Sequence, residues 1–406
     1  MKGKQTLRIL FIPSWYPTSL NAVSGIFIQK KARALARASD VAVVYAVAEQ
    51  SRKRDWLRLE EKVNEGVLEI IAYYRKGSYA FPVSKSVGYV RRVVAYVFCL
   101  RRYLSRGSGL DIIHLHVVEG FPLLVAAALH LLFGKPLAIT EHCDIAYRSA
   151  VGIKPLSLFQ RGLYLFAAAL TSSFSVDSTS MKNAMSRAGV KRCVVIPNVV
   201  DVAYVPSSAP MGRTARMIHI SSLWDFQKNI TLLLEACEIL KNELQISAFE
   251  LLIIGTGPEK QRHIDTALSL GLLDDHVKFV GYVDDKEKER LLGVSHFHVL
   301  SSNFEGFSVV TAEALCRGIP VISTRCGGPE DFVNDSVGIL VPKNNAKALA
   351  GAMATLIANP HKYSPQKVSE AARNRFGPDA VVKITIGEYR RILKTGRAGK
   401  SFESVR

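Results

Sequence analysis

From Leu7 onward, short β-branched and apolar runs alternate with amphipathic segments to the end of the chain. That alternation constrains the fold more than any other feature, because it is the pattern of parallel α/β sheets. In the first half it places strands near Leu7–Ile12, Val41–Val47, Val67–Ile71, Ile112–His116, Leu137–Thr140 and Val194–Ile196. Helices fall between them, at Ile26–Ala38 and Pro122–Phe133 for example. The segment 206–216, PSSAPMGRTAR, reads as a linker, rich in Pro, Ser and Gly. Past it the alternation restarts, with strands near Met217–Ile220, Leu251–Ile254, Val277–Val280, His298–Leu300 and Val321–Ser323. The expectation is therefore α/β, with two doubly wound Rossmann-like domains facing a central cleft and ligands at the carboxyl ends of the strands. The domains are expected at 1–205 and 206–377. A last helix, from Pro378 to about Lys394, is expected to pack back on the first domain, with a tail to residue 406.

Composition narrows the class. With 406 residues and 48% hydrophobic content the chain is globular, and each domain is large enough to bury its own core. The six cysteines, Cys99, Cys143, Cys193, Cys237, Cys316 and Cys326, form no C-x-x-C pair, which fits a reducing compartment. The longest apolar run, Phe121 to Phe133, is too short to span a bilayer and carries His130. Pro13, Trp15 and Pro17 interrupt the first apolar stretch, unlike a secretory leader. A cytoplasmic protein is expected. Residues 1–205 hold 28 Lys+Arg against 13 Asp+Glu, net +15, and the remainder hold 25 against 22, net +3, which together make the +18 of the whole chain. Such a first domain suits nucleic acid, an anionic membrane or a polyanionic substrate.

The residues that carry chemistry cluster after the strands. Asn303 to Pro329 reads NFEGFSVVTAEALCRGIPVISTRCGGP. Glu305 is expected on the loop after the strand ending at Leu300, and Glu313 in the first turns of the following helix. The amides of Ser308, Val309 and Val310 would then lie at a helix N-terminus, a place suited to phosphate. Carboxylates on either side suit a polyhydroxyl ligand. Gly327-Gly328 is a turn or a close backbone approach to a ligand. In Leu223–Asn229, LWDFQKN, Lys228 is expected at the start of the helix running through Leu240, where its charge would stabilise a departing diphosphate. In the first domain, the loop Pro13–Ile26 carries Ser24-Gly25 just before a helix, and His142 follows the strand Leu137–Thr140. His142 suits contact with a sugar hydroxyl, catalytic acid–base work or a structural role. His114 and His116 share a strand face without a third metal ligand at a suitable spacing, and no metal is expected.

Other sites are excluded by their missing residues. Gly255-Thr256-Gly257 has Lys260 where the last glycine of a dinucleotide fingerprint belongs. There is no Walker phosphate loop, no G-x-S-x-G elbow and no Asp-x-Asp pair. Metal-independent chemistry and no resident cofactor are expected. No nucleic-acid motif accompanies the positive charge.

Taken together the chain resembles the retaining glycosyltransferases of the GT-B fold, the large family-4 group. The resemblance rests on SGIFIQKKARALA (24–36), DIIHLH (111–116), TEH (140–142), VIPNVVD (195–201), KNITLLLEA (228–236), LLIIGTGPEKQRHIDTALSLGLLDDHVKFVGYV (251–283) and FEGFSVVTAEALCRGIPV (304–321), in the family's order. It implies that Lys228 contacts the donor diphosphate, Glu305 the donor sugar and Glu313 the nucleotide ribose. It implies that amides from Phe307 through Ser308 and Val309 to Val310 hold phosphate or sugar, that Gly25 approaches the diphosphate, and that His142 contacts the transferred sugar. The family's second diphosphate contact is an arginine, and Ser222 stands in its place in Ser221-Ser222-Leu223. The usual Gly-Gly before the first helix is Ser24-Gly25. The implied activity is a retaining hexosyl transfer from a nucleotide sugar, a UDP- or GDP-sugar, to a glycan or lipid-linked acceptor in polysaccharide or glycolipid synthesis. Two other readings stay open: an epimerase on the same fold, and a catalytically weak sugar-nucleotide or anionic-surface binding protein.

In Lys85–Arg106, KSVGYVRRVVAYVFCLRRYLSR, helical spacing aligns Val90, Val93, Val94, Val97, Leu100 and Leu104 in one stripe. Arg91, Arg92, Arg102 and Arg106 lie on the other side. This is either a domain helix with a solvated basic face or a surface meeting anionic lipid at the inner face of a membrane.

Overall fold

A computed structural model describes residues 6–50, 55–75, 82–107, 109–142, 149, 152, 154–205 and 214–395. Most of the linker segment, 206–213, and Cys143 lie outside them. The chain divides into two compact units. The first comprises residues to Asp177, Lys182–Val199 and Val381 onward; the second comprises Ser178–Met181 and Val200–Ala380.

The first unit is an eight-stranded sheet of β1 (Leu7–Pro13), β2 (Ser39–Glu49), β3 (Leu57–Asn64), β4 (Val67–Arg75), β5 (Ile112–His116), β6 (Leu137–Glu141), β7 (Ser173–Val176) and β8 (Cys193–Val195). Its order is β3-β4-β2-β1-β5-β6-β7-β8. Every pairing is parallel except β3 with β4, whose hairpin turns through Glu65-Gly66, both at positive φ. The helices are α1 (Ile26–Ala36), α2 (Pro82–Leu104), α3 (Gly120–Phe133), α4 (Leu158–Leu170) and α5 (Thr179–Arg187). The chain steps one way from β1 to β2 and the opposite way from β4 through β5 and β6 to β7. Right-handed crossovers therefore put α1 on one face of the sheet and α2, α3 and α4 on the other. On the α1 side, Ile9, Phe11, Ile28, Ala32 and Leu35 pack with Ile386, Tyr389 and Ile392 of the last helix, all buried.

The second unit is an all-parallel sheet of β9 (Ala215–Ile220), β10 (Phe249–Ile254), β11 (Val277–Gly281), β12 (Phe297–Leu300), β13 (Val321–Thr324) and β14 (Gly338–Val341), in the order β11-β10-β9-β12-β13-β14. Its helices are α6 (Asp225–Lys228), α7 (Ile230–Asn242), α8 (Lys260–Ser269), α9 (Asp285–Gly293), α10 (Val309–Cys316), α11 (Ala346–Ala358) and α12 (Pro365–Phe376). The final helix, α13 (Pro378–Thr395), begins here and passes into the first unit at Val381. The inner strands β10, β12 and β13 are buried on both faces, as a parallel sheet requires, whereas the edge strand β11 exposes Lys278 and Val280. Because β9 and β12 are hydrogen-bonded neighbours, the loops leaving their carboxyl ends meet.

The helix α2 corrects one expectation. Its valine stripe points outward: Val90, Val93, Val97 and Leu104 are exposed, and the face on the sheet is Ala95, Tyr96, Cys99 and Tyr103. The arginines opposite stay solvated, with Arg101, Arg102 and Arg106 exposed, while some of them reach neighbours. Arg102 and Arg106 hold Glu61, Arg91 donates to the carbonyl of Arg75, and Arg92 lies over the Phe121 ring. The basic face is therefore solvated, but the valine seam opposite it is not the buried side. Among the described residues no helix is long and apolar enough to cross a membrane.

Candidate functional site

In the second unit the loop after β9 packs against the loop after β10 because two glycines of the latter permit it. A side chain at Gly255 would meet the Ser221 carbonyl at 1.8 Å, and one at Gly257 would meet that of Leu223 at 2.4 Å. These glycines serve contact within the chain, which explains why they begin a dinucleotide fingerprint and do not complete it. Ser222 is exposed on the loop after β9, and its carbonyl accepts from the Trp224 amide at 2.9 Å.

Lys228 does not open the long helix. It ends the single turn α6, and Asn229, in the left-handed region at φ 49°, caps α7 by accepting from the Leu232 amide. This break turns Lys228 towards the loop after β12. Its ammonium donates to Glu305 Oε1 at 2.6 Å, and the Ser302 hydroxyl donates to the same oxygen at 2.7 Å. The two loops are further joined by Ser301 Oγ to the Lys228 carbonyl at 2.8 Å and by the Asn303 amide to the Gln227 carbonyl at 2.8 Å. The backbone of Glu305 is fixed as well, donating to Cys326 and accepting from Gly328. Gly328 is the close approach foreseen at Gly327-Gly328, but what approaches is Gly306, whose carbonyl would lie 2.5 Å from an added Cβ.

Beyond Glu305 the Phe307 ring packs between Phe332 and Phe376, with centroids 5.5 and 5.4 Å away, so only its backbone is left for a ligand. Ser308 takes a left-handed conformation, φ 71°, and starts α10 without capping it; its hydroxyl is 2.8 Å from that of Thr311. The first amides of α10, Val309 and Val310 among them, thus end a helix that carries no side-chain cap. Glu313 lies in the second turn, 2% exposed, and accepts from Lys288 of α9 at 3.0 Å. Burial works against the Lys288 charge, yet Glu313 and Asp285 outweigh it and raise the pKa above the ordinary lysine value.

In the first unit Gly25 has φ 70°, and a side chain there would meet the Trp15 carbonyl at 2.4 Å. It makes the turn that starts α1. His142 follows β6 as expected, but its ring is enclosed. Nδ1 is 2.7 Å from Asp177 Oδ2, Nε2 is 3.1 Å from His116 Nδ1, and the side chain is 2% exposed. His142 Nδ1 thus faces a carboxylate and its Nε2 faces a second imidazole. His114 continues the cluster, with Tyr389 Oη at 2.5 Å and Thr140 Oγ1 at 2.7 Å. The fully buried Lys31 faces Asp177; burial pushes its pKa down to about 8 and the carboxylate opposes that shift. His114 and His116 are driven well below the usual histidine range, first by burial and then by the charges around them.

The profile of Glycosyltransferase Family 4 matches residues 25–204, and that of Glycosyl transferases group 1 matches residues 214–375. The chain is a family-4 glycosyltransferase. It is 24% identical to glycogen synthase of Mycobacterium tuberculosis over 92% of this chain and 91% of that protein. It is 29% identical to phosphatidyl-myo-inositol mannosyltransferase of Mycobacterium leprae over 64% of this chain and 67% of that one. In fold it is similar to Anabaena Alr3699/HepE, solved with UDP and glucose, at TM-score 0.66 and 17% identity, covering 95% of this chain and 100% of that one. The fold is GT-B.

Within this glycosyltransferase, Lys228, Glu305 and the start of α10 belong to one end of one sheet, and Glu313 is reached through α10. Gly25 and His142 belong to the carboxyl edge of the other sheet. Several partners escaped the sequence reading: Ser302, Asn303, Lys288, Asp177 and Lys31. Only Ser302 left a signal, as a small polar residue just past a buried strand and three positions before Glu305.

Proposed function

We propose that this glycosyltransferase moves a hexose from a UDP- or GDP-sugar to a glycan or lipid-linked acceptor, with retention at the anomeric carbon and without a metal. The acceptor belongs to cell-surface polysaccharide or glycolipid synthesis at the inner face of a membrane. The observation that carries the reading is the Lys228–Glu305–Ser302 cluster at the carboxyl ends of β9 and β12, beside the uncapped start of α10. In this reading Lys228 and the α10 amides neutralise the diphosphate as the bond from C1 to the phosphate oxygen breaks. Glu305 accepts from sugar hydroxyls, and Glu313, held by Lys288, accepts from the ribose. The acceptor oxygen bonds to C1 on the face the phosphate leaves, and its proton passes to the departing phosphate oxygen. No protein nucleophile is used. Metal independence rests on the absence of an Asp-x-Asp pair in the sequence. The donor class is supported by Alr3699/HepE, which is solved with UDP and glucose, and a lipid-linked acceptor by the mannosyltransferase relative.

The test is nucleoside diphosphate release from a panel of UDP-, GDP- and ADP-sugars, first in chelator and then with magnesium. Release from one UDP- or GDP-sugar in chelator, with the α-anomeric product by NMR, is the expected result. A protein that neither binds nor cleaves any donor overturns the reading and leaves the anionic-surface binding alternative, with Ser222 in place of the arginine as its cause.

A further inference from the structure

The first unit leaves one helical layer without a cover. Of the 29 large apolar side chains exposed among the described residues, 15 lie on α2, α3 and α4. The extreme cases are Leu131 at 72% and Leu132 at 78% on α3, with Leu158 at 90% and Phe159 at 75% on α4. These helices form one layer on the same face of the sheet. Tyr96 of α2 stacks near Phe121 of α3, with ring centroids 5.5 Å apart, and α3 packs against α4. A helical layer that exposes this much apolar side chain marks an interaction surface.

The charge on the layer selects the occupant. Across the three helices, Pro82–Leu104, Gly120–Phe133 and Leu158–Leu170, there is not one Asp or Glu, although the chain holds 35. Their cations include Arg91, Arg92, Arg101 and Arg102 on α2 and Arg161 on α4, and Arg106 and Lys154 flank them. Arg101, Lys154 and Arg161 are exposed. A second copy docking through this face would set cation against cation with no carboxylate to pair. An anionic bilayer accepts both parts, since the apolar side chains enter the acyl boundary and the cations meet the headgroups.

We propose that the α2–α3–α4 layer is the membrane-docking surface, with Leu131, Leu132, Leu158 and Phe159 entering an anionic bilayer. This rests on the membrane part of the proposed function and extends it from one helix to a whole layer. The exposed apolar side chains supply insertion, and the exposed cations, of which Arg102 and Arg106 also hold Glu61, add preference for anionic lipid.

The full chain is floated with vesicles of phosphatidylcholine alone and with about one third phosphatidylglycerol, at low and high salt. Two variants are compared, Leu131→Glu with Leu158→Glu, and Arg101→Gln with Arg161→Gln. Both alter exposed side chains, so their thermal unfolding is expected to match the parent. The parent is expected to float with the anionic vesicles, and the glutamate pair to lose roughly tenfold in retention. The glutamine pair is expected to lose the preference for anionic lipid. A parent that stays in solution, or a glutamate pair that floats as well as the parent, overturns the proposal. So does a dimer that the glutamate pair dissociates without any change in flotation. Nucleotide release from a soluble donor, measured on the same proteins, keeps failure of the docking surface distinct from failure of the transferase reading.

Discussion

The Lys228 ammonium and the Glu305 carboxylate, 77 residues apart, meet at 2.6 Å and are both largely buried. Their meeting is a consequence of strand order. Lys228 follows β9 and Glu305 follows β12, and these strands are neighbours although β10 and β11 separate them in sequence. Ser302 places a second donor on the same oxygen, so the carboxylate stays satisfied when the ammonium turns to a phosphate.

Replacing Lys228 by Ala is expected to lower donor kcat/KM by about 10²- to 10³-fold, the usual effect of removing a preplaced charge from a site of developing negative charge. It also leaves a buried carboxylate with one donor fewer, which costs about 1–3 kcal/mol of stability. Glu305→Gln keeps an acceptor for Lys228 and is expected to spare the fold while losing sugar recognition. Steady-state kinetics with urea unfolding separates the two effects. A Lys228→Ala enzyme within tenfold of the parent would remove Lys228 from the diphosphate.

Glu313 and Lys288 give a different signature. Because α9 holds the carboxylate from the side, Lys288→Met is expected to reproduce Glu313→Gln in weakened form, raising donor KM with little change in kcat. A double-mutant cycle on donor binding should give a coupling of about 1 kcal/mol or more. Additive effects would show that Lys288 merely shields a buried charge.

Legibility in the sequence followed the source of each signal. Strands buried on both faces, such as β1, β5 and β10, are continuous apolar runs and were placed to within about two residues. The edge strand β3 was missed because LRLEEKVN is polar and half-exposed, and its strand state comes from the hairpin with β4. SFSV of β7 was missed for the opposite reason: its serines are buried, with the Ser175 and Thr140 hydroxyls 2.7 Å apart. In α2 the valine spacing was real but did not mark the buried side, since a spacing argument cannot say which face meets the sheet. At the site, Glu305, Glu313 and His142 stand where the sequence placed them and Lys228 does not, because Asn229 breaks the helix after it; the ion pairs depended on strand order and were not readable.

Asp177 stands between a buried ammonium and an imidazole, and its neutralisation should propagate to both. Asp177→Asn keeps the shape and an acceptor for His142 but leaves Lys31 as an uncompensated buried cation, an expected cost of about 3 kcal/mol. Adding Lys31→Met removes that cation, and the double variant is expected to recover at least half of the loss in urea unfolding. No recovery would mean that Lys31 does not feel the Asp177 charge, contrary to the opposing effect of that carboxylate on the lysine.

Acid should weaken this protein well above the pH at which its carboxylates protonate. Burial holds His219 near pKa 4 and His298 near 3, although hydrogen bonds to the carbonyls of Val299 and Ile218 oppose the shift. His114 and His116 are lowered in the same direction. An unfolded histidine binds its proton near pH 6.5, so below that value the unfolded chain holds more protons than the fold. The stabilisation is complete above about pH 6.5 and is lost as pH falls towards 4 and 3, at up to about 1.4 kcal/mol per pH unit for each histidine. Urea midpoints measured at intervals from pH 7.5 to 4.5 are expected to fall steeply from about 6.5 downward. Because His219 and His298 belong to one unit and His114 and His116 to the other, both units should lose stability in the same window. A midpoint unchanged between pH 7 and 5 would mean that these imidazoles accept protons inside the fold, and the buried neutral assignment would fail for all four.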